Sequence, residues 1–291
     1  MQMVITSLLR CSFVGWEMHR ILTGALTVEQ MQLAITGLPD RLKGVKLAQL
    51  SDFHFDGIRL SKSLLNNAIA ACNAAQPDLI LLTGDFVTDD PAPIHDLAER
   101  LTQLKSKCGI FAVLGNHDIR YKHSQMEITA ALQEHDIQVL WNQMAYPLGE
   151  GLAIVGLADY WSAQFDPTAV FNQLETAIPR IVLSHNPDTA EVLQQWRVDL
   201  QLSGHTHGGQ VFLPGVGNMA QATSNFYRGL PRSVKRWVPL LKECSTTMKH
   251  WEWAQGLHTV GKNRLYVNRG LGTYLPGRFC CPPEVTVITL V

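Results

Sequence analysis

The sequence predicts an α/β protein whose strands are covered by helices on at least one face. From Gly44 onward, short apolar runs rich in branched residues alternate with stretches whose apolar residues recur at helical spacing. Five of those runs end in Asp, His or Asn beside Gly or Ser, at the carboxyl ends where open α/β sheets hold ligands. The composition agrees: 291 residues, 46% hydrophobic and 17% charged, describe a globular chain rather than a disordered or fibrous one.

Taken in order, the first stretch, Met1 to Leu26, is moderately apolar but broken by Arg10, Glu17, His19 and Arg20. A spanning helix needs about 20 consecutive apolar residues, and no small-residue cleavage site marks a signal peptide. Residues 1–43 are therefore expected to form a helical or extended segment packed on the domain, with attachment to a membrane surface as the alternative. Buried strands are expected at Val45–Leu50, Leu79–Leu82, Ile110–Leu114, Ala153–Leu157, Ile181–Leu183 and Leu200–Leu202. Between them, Ser61–Ala75 puts Leu64, Leu65, Ala68, Ile69 and Cys72 on one helical face, with Ser61 as N-cap. Ile94, Leu97, Leu101 and Leu104 form a second stripe. Asp166-Pro167 opens a helix carrying Val170, Phe171 and Leu174, and Pro187 opens one carrying Val192, Leu193 and Trp196. Residues 214–262 break the alternation, and strand signals return at Arg264–Val267 and Val285–Leu290. One domain over residues 44–291 with one long insertion fits this pattern.

The strand ends carry the chemistry. They read Ser51-Asp52-Phe53-His54, Gly84-Asp85, Gly115-Asn116-His117-Asp118, Ser184-His185-Asn186-Pro187-Asp188 and Gly204-His205-Thr206-His207-Gly208-Gly209. Oxygen and imidazole donors without thiolate suit divalent manganese, iron or zinc rather than a structural zinc site. In Asp52-x-His54 and His205-x-His207 the paired residues alternate, so extended backbone can aim both side chains at one place. Seven donors (Asp52, His54, Asp85, Asn116, His185, His205 and His207) exceed the needs of one ion once water and substrate are counted. Two ions are the economical reading. The six cysteines show no Cys-x-x-Cys pair and are read as reduced thiols of a cytoplasmic protein, and the net charge of −1 gives no reason to expect nucleic acid.

Together these motifs resemble the signature of the calcineurin-like metallophosphoesterase superfamily over roughly Lys46 to Gln210. The tail from Tyr266 to Thr273, with Pro276, Arg278 and Pro282-Pro283-Glu284, resembles the bacterial phosphodiesterase branch, which includes membrane-associated members and UDP-2,3-diacylglucosamine pyrophosphohydrolases. The resemblance implies a four-layer αββα sandwich, two mixed β-sheets flanked by helices, with metals at the strand ends. It implies Asp52, His54 and His207 around one ion, Asn116, His185 and His205 around the other, and Asp85 bridging them. Asn116 and His117 would face the substrate phosphate. His117 would serve the leaving-group side, with Asp118 either orienting its imidazole or capping a helix. Two divalent ions, manganese expected and iron or zinc as alternatives, would ease the deprotonation of a bridging water that attacks phosphorus.

The substrate is read more broadly. Phe226–His250 sets Arg228, Arg232, Lys235, Arg236, Lys242 and Lys249 among Phe226, Tyr227, Trp237, Val238, Leu240 and Leu241, with Trp251 and Trp253 just beyond. Such a segment suits a membrane surface on the inner face, the acyl chains of an anionic lipid, or a packed cover over the core. Pro231 and Pro239 exclude one long helix. Arg269 and Arg278 are candidates to grip a phosphate or diphosphate, or to make structural ion pairs. The leading expectation is a phosphodiesterase or pyrophosphohydrolase acting on a phosphodiester or diphosphate substrate, which a lipid-linked nucleotide sugar would satisfy. A phosphomonoesterase or protein phosphatase, and a non-catalytic membrane-peripheral binding protein, stay open as alternatives.

Overall fold

The computed structural model describes residues 22–238 and 240–291, and the side chains of 240, 241, 243 and 244 also lie outside that description. The expectations for the segment up to residue 21, for Cys11, His19 and Pro239, and for the side chains of Leu240, Leu241 and Cys244 fall outside the described residues.

In chain order the strands are β1 (Thr27–Leu33), β2 (Lys46–Leu50), β3 (Leu79–Leu82), β4 (Ile110–Ala112), β5 (Ile137–Val139), β6 (Gln143–Ala145), β7 (Ala153–Gly156), β8 (Arg180–Leu183), β9 (Leu200–Ser203), β10 (Phe212–Leu213), β11 (Gly217–Asn218), β12 (Gly256–Val260), β13 (Asn263–Val267) and β14 (Glu284–Leu290). The α-helices are α1 (Lys62–Ala74), α2 (Ile94–Leu101), α3 (Ser124–Glu134), α4 (Pro167–Phe171), α5 (Thr189–Val192), α6 (Met219–Gly229), α7 (Arg232–Lys235) and α8 (Leu240–Thr247).

Two six-stranded mixed sheets result, in the orders β1-β14-β2-β3-β4-β5 and β12-β13-β9-β8-β7-β6. Within each, a run of four parallel strands (β2 to β5, and β13-β9-β8-β7) delivers its carboxyl ends to the same edge. Strand periodicity builds the layers. Leu47, Leu79 and Leu81 of the first sheet pack with Ile181, Leu183, Leu200 and Leu202 of the second, filling the space between the sheets. Their neighbours Ala48, Leu50, Ile80 and Leu82 turn outward onto α1, α2 and α3. Val155 and Val182 turn outward onto α4 and the segment around Leu193. The architecture is therefore helix, sheet, sheet, helix, as expected. A fully buried Leu or Ile contributes about 1.5–3 kcal/mol, so the inter-sheet layer is what joins the halves.

Local signals held where they were chemical. Ser61 caps α1 by accepting from the Leu64 amide at 3.2 Å, and Asp166 caps α4 from the Ala169 amide at 3.1 Å. The helix expected after Pro187 is only the four residues of α5 followed by a 3-10 turn.

Within the segment expected to be helical or extended, β1 is a full edge strand paired with β14 along its whole length. Its inward-facing positions include Thr27 and Glu29, polar residues satisfied by Arg269, so no apolar alternation announces it. The irregular region is helical in three short pieces, with Pro231 preceding α7, and it returns to the second sheet at β12. Among the described residues, Cys72, Cys108, Cys280 and Cys281 are free thiols, and no helix is long and apolar enough to cross a membrane.

Candidate metal centre

The sharp turns that end β2, β3 and β9 strain the backbone. Asp52, His54, Asp85, His205 and His207 all have positive φ, between 43° and 72°, a region that costs non-glycine residues about 1–3 kcal/mol each. Half of the ten such non-glycine residues in the described chain are thus expected metal ligands. The turns leave no space: a Cβ on Gly115 would stand 2.2 Å from Asp85 Oδ1, and one on Gly204 2.2 Å from Asp52 Oδ2.

The donors converge. Atoms of Asp52, His54 and His207 lie within 4.8 Å of one another, as do those of Asp85, His185 and His205, and those of His54, Asp85 and His117. The same oxygen, Asp85 Oδ2, is 3.4 Å from His54 Nε2 and 3.1 Å from His185 Nε2. His207 Nε2 is 3.5 Å from Asp52 Oδ1 and 3.1 Å from His54 Nε2. Asn116 lies on the loop between Gly115 and His117, and its Oδ1 is buried with no hydrogen-bond partner.

Every imidazole is set by the nitrogen it turns away from the cluster. His185 Nδ1 donates to the Thr83 carbonyl at 2.7 Å, His207 Nδ1 to Gly272 at 3.0 Å and His117 Nδ1 to Thr88 at 2.5 Å. His54 Nδ1 meets the Tyr274 hydroxyl at 3.1 Å. His205 is the reverse, with Nε2 donating to the Thr247 carbonyl at 3.2 Å. A carbonyl only accepts, so the four carbonyl contacts keep a proton on the bonded nitrogen and direct the other nitrogen to the cluster. The Tyr274 hydroxyl can donate or accept and leaves the His54 tautomer unfixed.

Electrostatics also favour a cation here. Burial takes His205 and His207 down to about 3 and His54 well below the usual imidazole value, so these rings are neutral donors. Burial raises Asp52 to about 6. Burial would also raise Asp85, but the imidazoles of His185, His117 and His54 outweigh it and hold that carboxyl well below its usual range. Burial likewise opposes charge on His185, yet Asp85 and Asp52 keep it protonated to about 10. His185 Nε2 nonetheless makes no hydrogen bond, because its short approach to Asp85 lacks the geometry of one. Two buried carboxylates, neutral imidazoles and the orphaned Asn116 Oδ1 and His185 Nε2 are the features a divalent cation would satisfy.

The match with a family model decides the class: the calcineurin-like phosphoesterase model matches residues 45–209. The chain belongs to the calcineurin-like phosphoesterase family. It is similar to the phosphodiesterase YaeI of Escherichia coli, at 33% identity over 87% of this chain and 84% of that protein. It is also similar to the UDP-2,3-diacylglucosamine pyrophosphatase LpxG of Chlamydia trachomatis, at 29% identity over 85% of this chain and 84% of that one. The metallophosphoesterase YkuE of Bacillus subtilis is 30% identical over 94% and 87% of the two chains. The chain is accordingly a metal-dependent phosphoester hydrolase, and the family implies divalent metal ions at the donor cluster just described.

Three expected residues stand elsewhere than anticipated. Asp118 does not orient His117: its carboxylate accepts the amides of Phe86, Val87 and Gly115 at 2.8, 3.2 and 2.9 Å and so ties the β3 loop to the β4 loop. The Thr88 carbonyl takes the orienting role. Arg269 pairs with Glu29 at 2.7 Å and Glu284 at 3.1 Å. Arg278 is buried, its guanidinium committed to the Arg269, Gly270 and Gly272 carbonyls at 2.8, 3.1 and 2.6 Å. Arg269 therefore makes the structural ion pairs that were its alternative reading, whereas Arg278 is held by backbone carbonyls, a partner neither reading named.

Tyr274 and Asp159 went unnoticed in the sequence. Tyr274 directly follows the matched tail. Asp159 lies three residues past β7, where the strand-end pattern points, and it is buried with Oδ2 unpartnered.

Proposed function

We propose that the chain is a two-metal phosphodiesterase or pyrophosphohydrolase. The observation that carries the reading is Asp85 Oδ2, which faces one donor set through His54 and the other through His185. On this reading Asp52, His54 and His207 hold one ion, Asn116, His185 and His205 the other, and Asp85 both. Bound divalent ions supply an activated water near neutral pH and neutralise charge at phosphorus. His117 contributes the proton: Thr88 fixes its Nδ1–H, so the imidazolium donates from Nε2 to the leaving oxygen. Manganese is the proposed metal for this thiolate-free set of carboxylate, amide and imidazole donors.

The similarity to LpxG supports a lipid-linked diphosphate as substrate. A membrane surface is the proposed partner, on the exposed Phe226, Val234 and Trp237 with Arg232, Lys235 and Arg236 around them. The test is hydrolysis of bis-p-nitrophenyl phosphate and p-nitrophenyl phosphate by metal-stripped protein, with and without manganese. Manganese-dependent turnover favouring the diester is expected. Preference for the monoester would replace the diesterase reading with a phosphomonoesterase. No turnover of either by protein carrying two ions would favour a non-catalytic binding protein.

A further inference from the structure

We propose that the returning limb of the insertion, residues 245–250, is a working part of the metal centre: through the Thr247 carbonyl it positions His205 and so sets the affinity for one of the two ions. The proposal rests on the two-ion reading above. Thr247 is the last residue of α8, and a helix's final carbonyls have no partner within the helix. Its carbonyl accepts from His205 Nε2 at 3.2 Å, which holds the proton there and leaves Nδ1 as the ring's free donor, on a residue that clusters with Asp85 and His185. The other imidazoles are held by the strand-end loops themselves, through Thr83 and Thr88, or by the tail, through Gly272 and Tyr274. Only His205, among these five, depends on the insertion.

The limb is docked by contacts that serve little else. The amides of Lys249 and His250 donate to the Asp188 carboxylate at 2.7 and 3.0 Å, three residues beyond His185. Lys249 pairs with Glu191 at 2.6 Å on the same side. From α6, Arg228 donates to the Met248 and Lys249 carbonyls at 2.8 and 3.0 Å. Below it, the Thr206 hydroxyl, between the two histidines of the β9 turn, donates to the Ala254 carbonyl at 2.6 Å. Met248 of the limb and Trp251 just beyond it are buried, and Trp161 stands edge-on to the His205 ring with centroids 5.1 Å apart. A segment that was only a cover would not need to deliver a carbonyl to a ligand's outer nitrogen.

The test removes the docking without touching an expected ligand. Metal-stripped wild type, Arg228→Ala and the double variant Arg228→Ala, Glu191→Ala are titrated with manganese(II), and free ion is read from its electron paramagnetic resonance signal. Amide exchange over residues 245–250 reports how far the limb has loosened. Removing a partner outside the ligands typically costs about 10–100-fold in metal affinity. The double variant should therefore lose roughly tenfold or more for one ion and keep the other as in wild type, with the single variant in between. Two unchanged affinities with a loosened limb, or equal losses at both ions, would overturn the proposal. Fewer than two ions on wild type would instead remove the two-ion reading on which it stands, and the wild-type titration alone tells these apart.

Discussion

At the scale of the residue, His117 and His185 make a contrast that binding and turnover can separate. Both are pinned by a carbonyl through Nδ1, but His185 faces Asp85 from within the buried cluster, whereas His117 is half-exposed at its edge. His117→Ala should lower kcat by about 10²–10⁴-fold, the range of a lost general acid, while two ions remain bound. His185→Ala should lose an ion. Metal analysis beside kcat checks both, and loss of an ion from His117→Ala would make it a ligand instead. Residue identity at the strand ends was legible because each donor immediately follows an apolar run. What the sequence hid were partners without side-chain chemistry: the carbonyls of Thr83, Thr88, Thr247 and Gly272 fix the tautomers, and any residue could have supplied them. Asp118 misled for the same reason, since adjacency to His117 said nothing about the three amides its carboxylate accepts.

At the scale of the element, the tail between β13 and β14 is a brace. Arg278 holds the Gly272 carbonyl at 2.6 Å, and that carbonyl in turn accepts from His207 Nδ1. Burial lowers the guanidinium to about 10, but the surrounding carbonyl oxygens leave it no other role than donor. Replacing it with Met removes its bonds to all three carbonyls. Gly272 keeps His207 Nδ1 and Gly270 keeps the Glu284 amide at 3.3 Å, and a buried carbonyl left unpaired costs about 1–3 kcal/mol. Arg278→Met should thus shift the urea midpoint strongly, with activity falling only as the fold does. Unaltered stability with a raised KM would restore it as a substrate contact. The sequence placed this tail at the site but could not choose between phosphate and carbonyl as its partner, because a guanidinium fork suits both. The same ambiguity hid β1: Thr27 and Glu29 look like a surface stretch until Arg269 is placed beside them.

At the scale of the whole molecule, the two halves of the sandwich share the candidate metal centre. Asp52, His54, Asp85 and Asn116 follow β2, β3 and β4 of the first sheet, and His185, His205 and His207 follow β8 and β9 of the second. Each expected donor set mixes the sheets, so bound ions would hold them together at the edge where the strained turns meet. The sandwich followed from the family resemblance; only its helix-covered strands were legible from alternation, because apolar layers need only the period of the strands. The pairing of one sheet's ligands with the other's was not, since that depends on how the sheets face each other. A ligand present at 100 times its Kd stabilises the native state by about 2.7 kcal/mol, and about 2–4 °C in Tm corresponds to each kcal/mol in a domain near this size. Manganese at that excess should then raise the Tm of the stripped protein by roughly 5–10 °C per ion. Binding at either sheet alone would give some of that rise, so the deciding measurement is where amide exchange slows. Protection should appear together in the loops after β2, β3 and β4 and in those after β8 and β9. Protection confined to one sheet's loops would mean that the ions sit on one half and do not join the two.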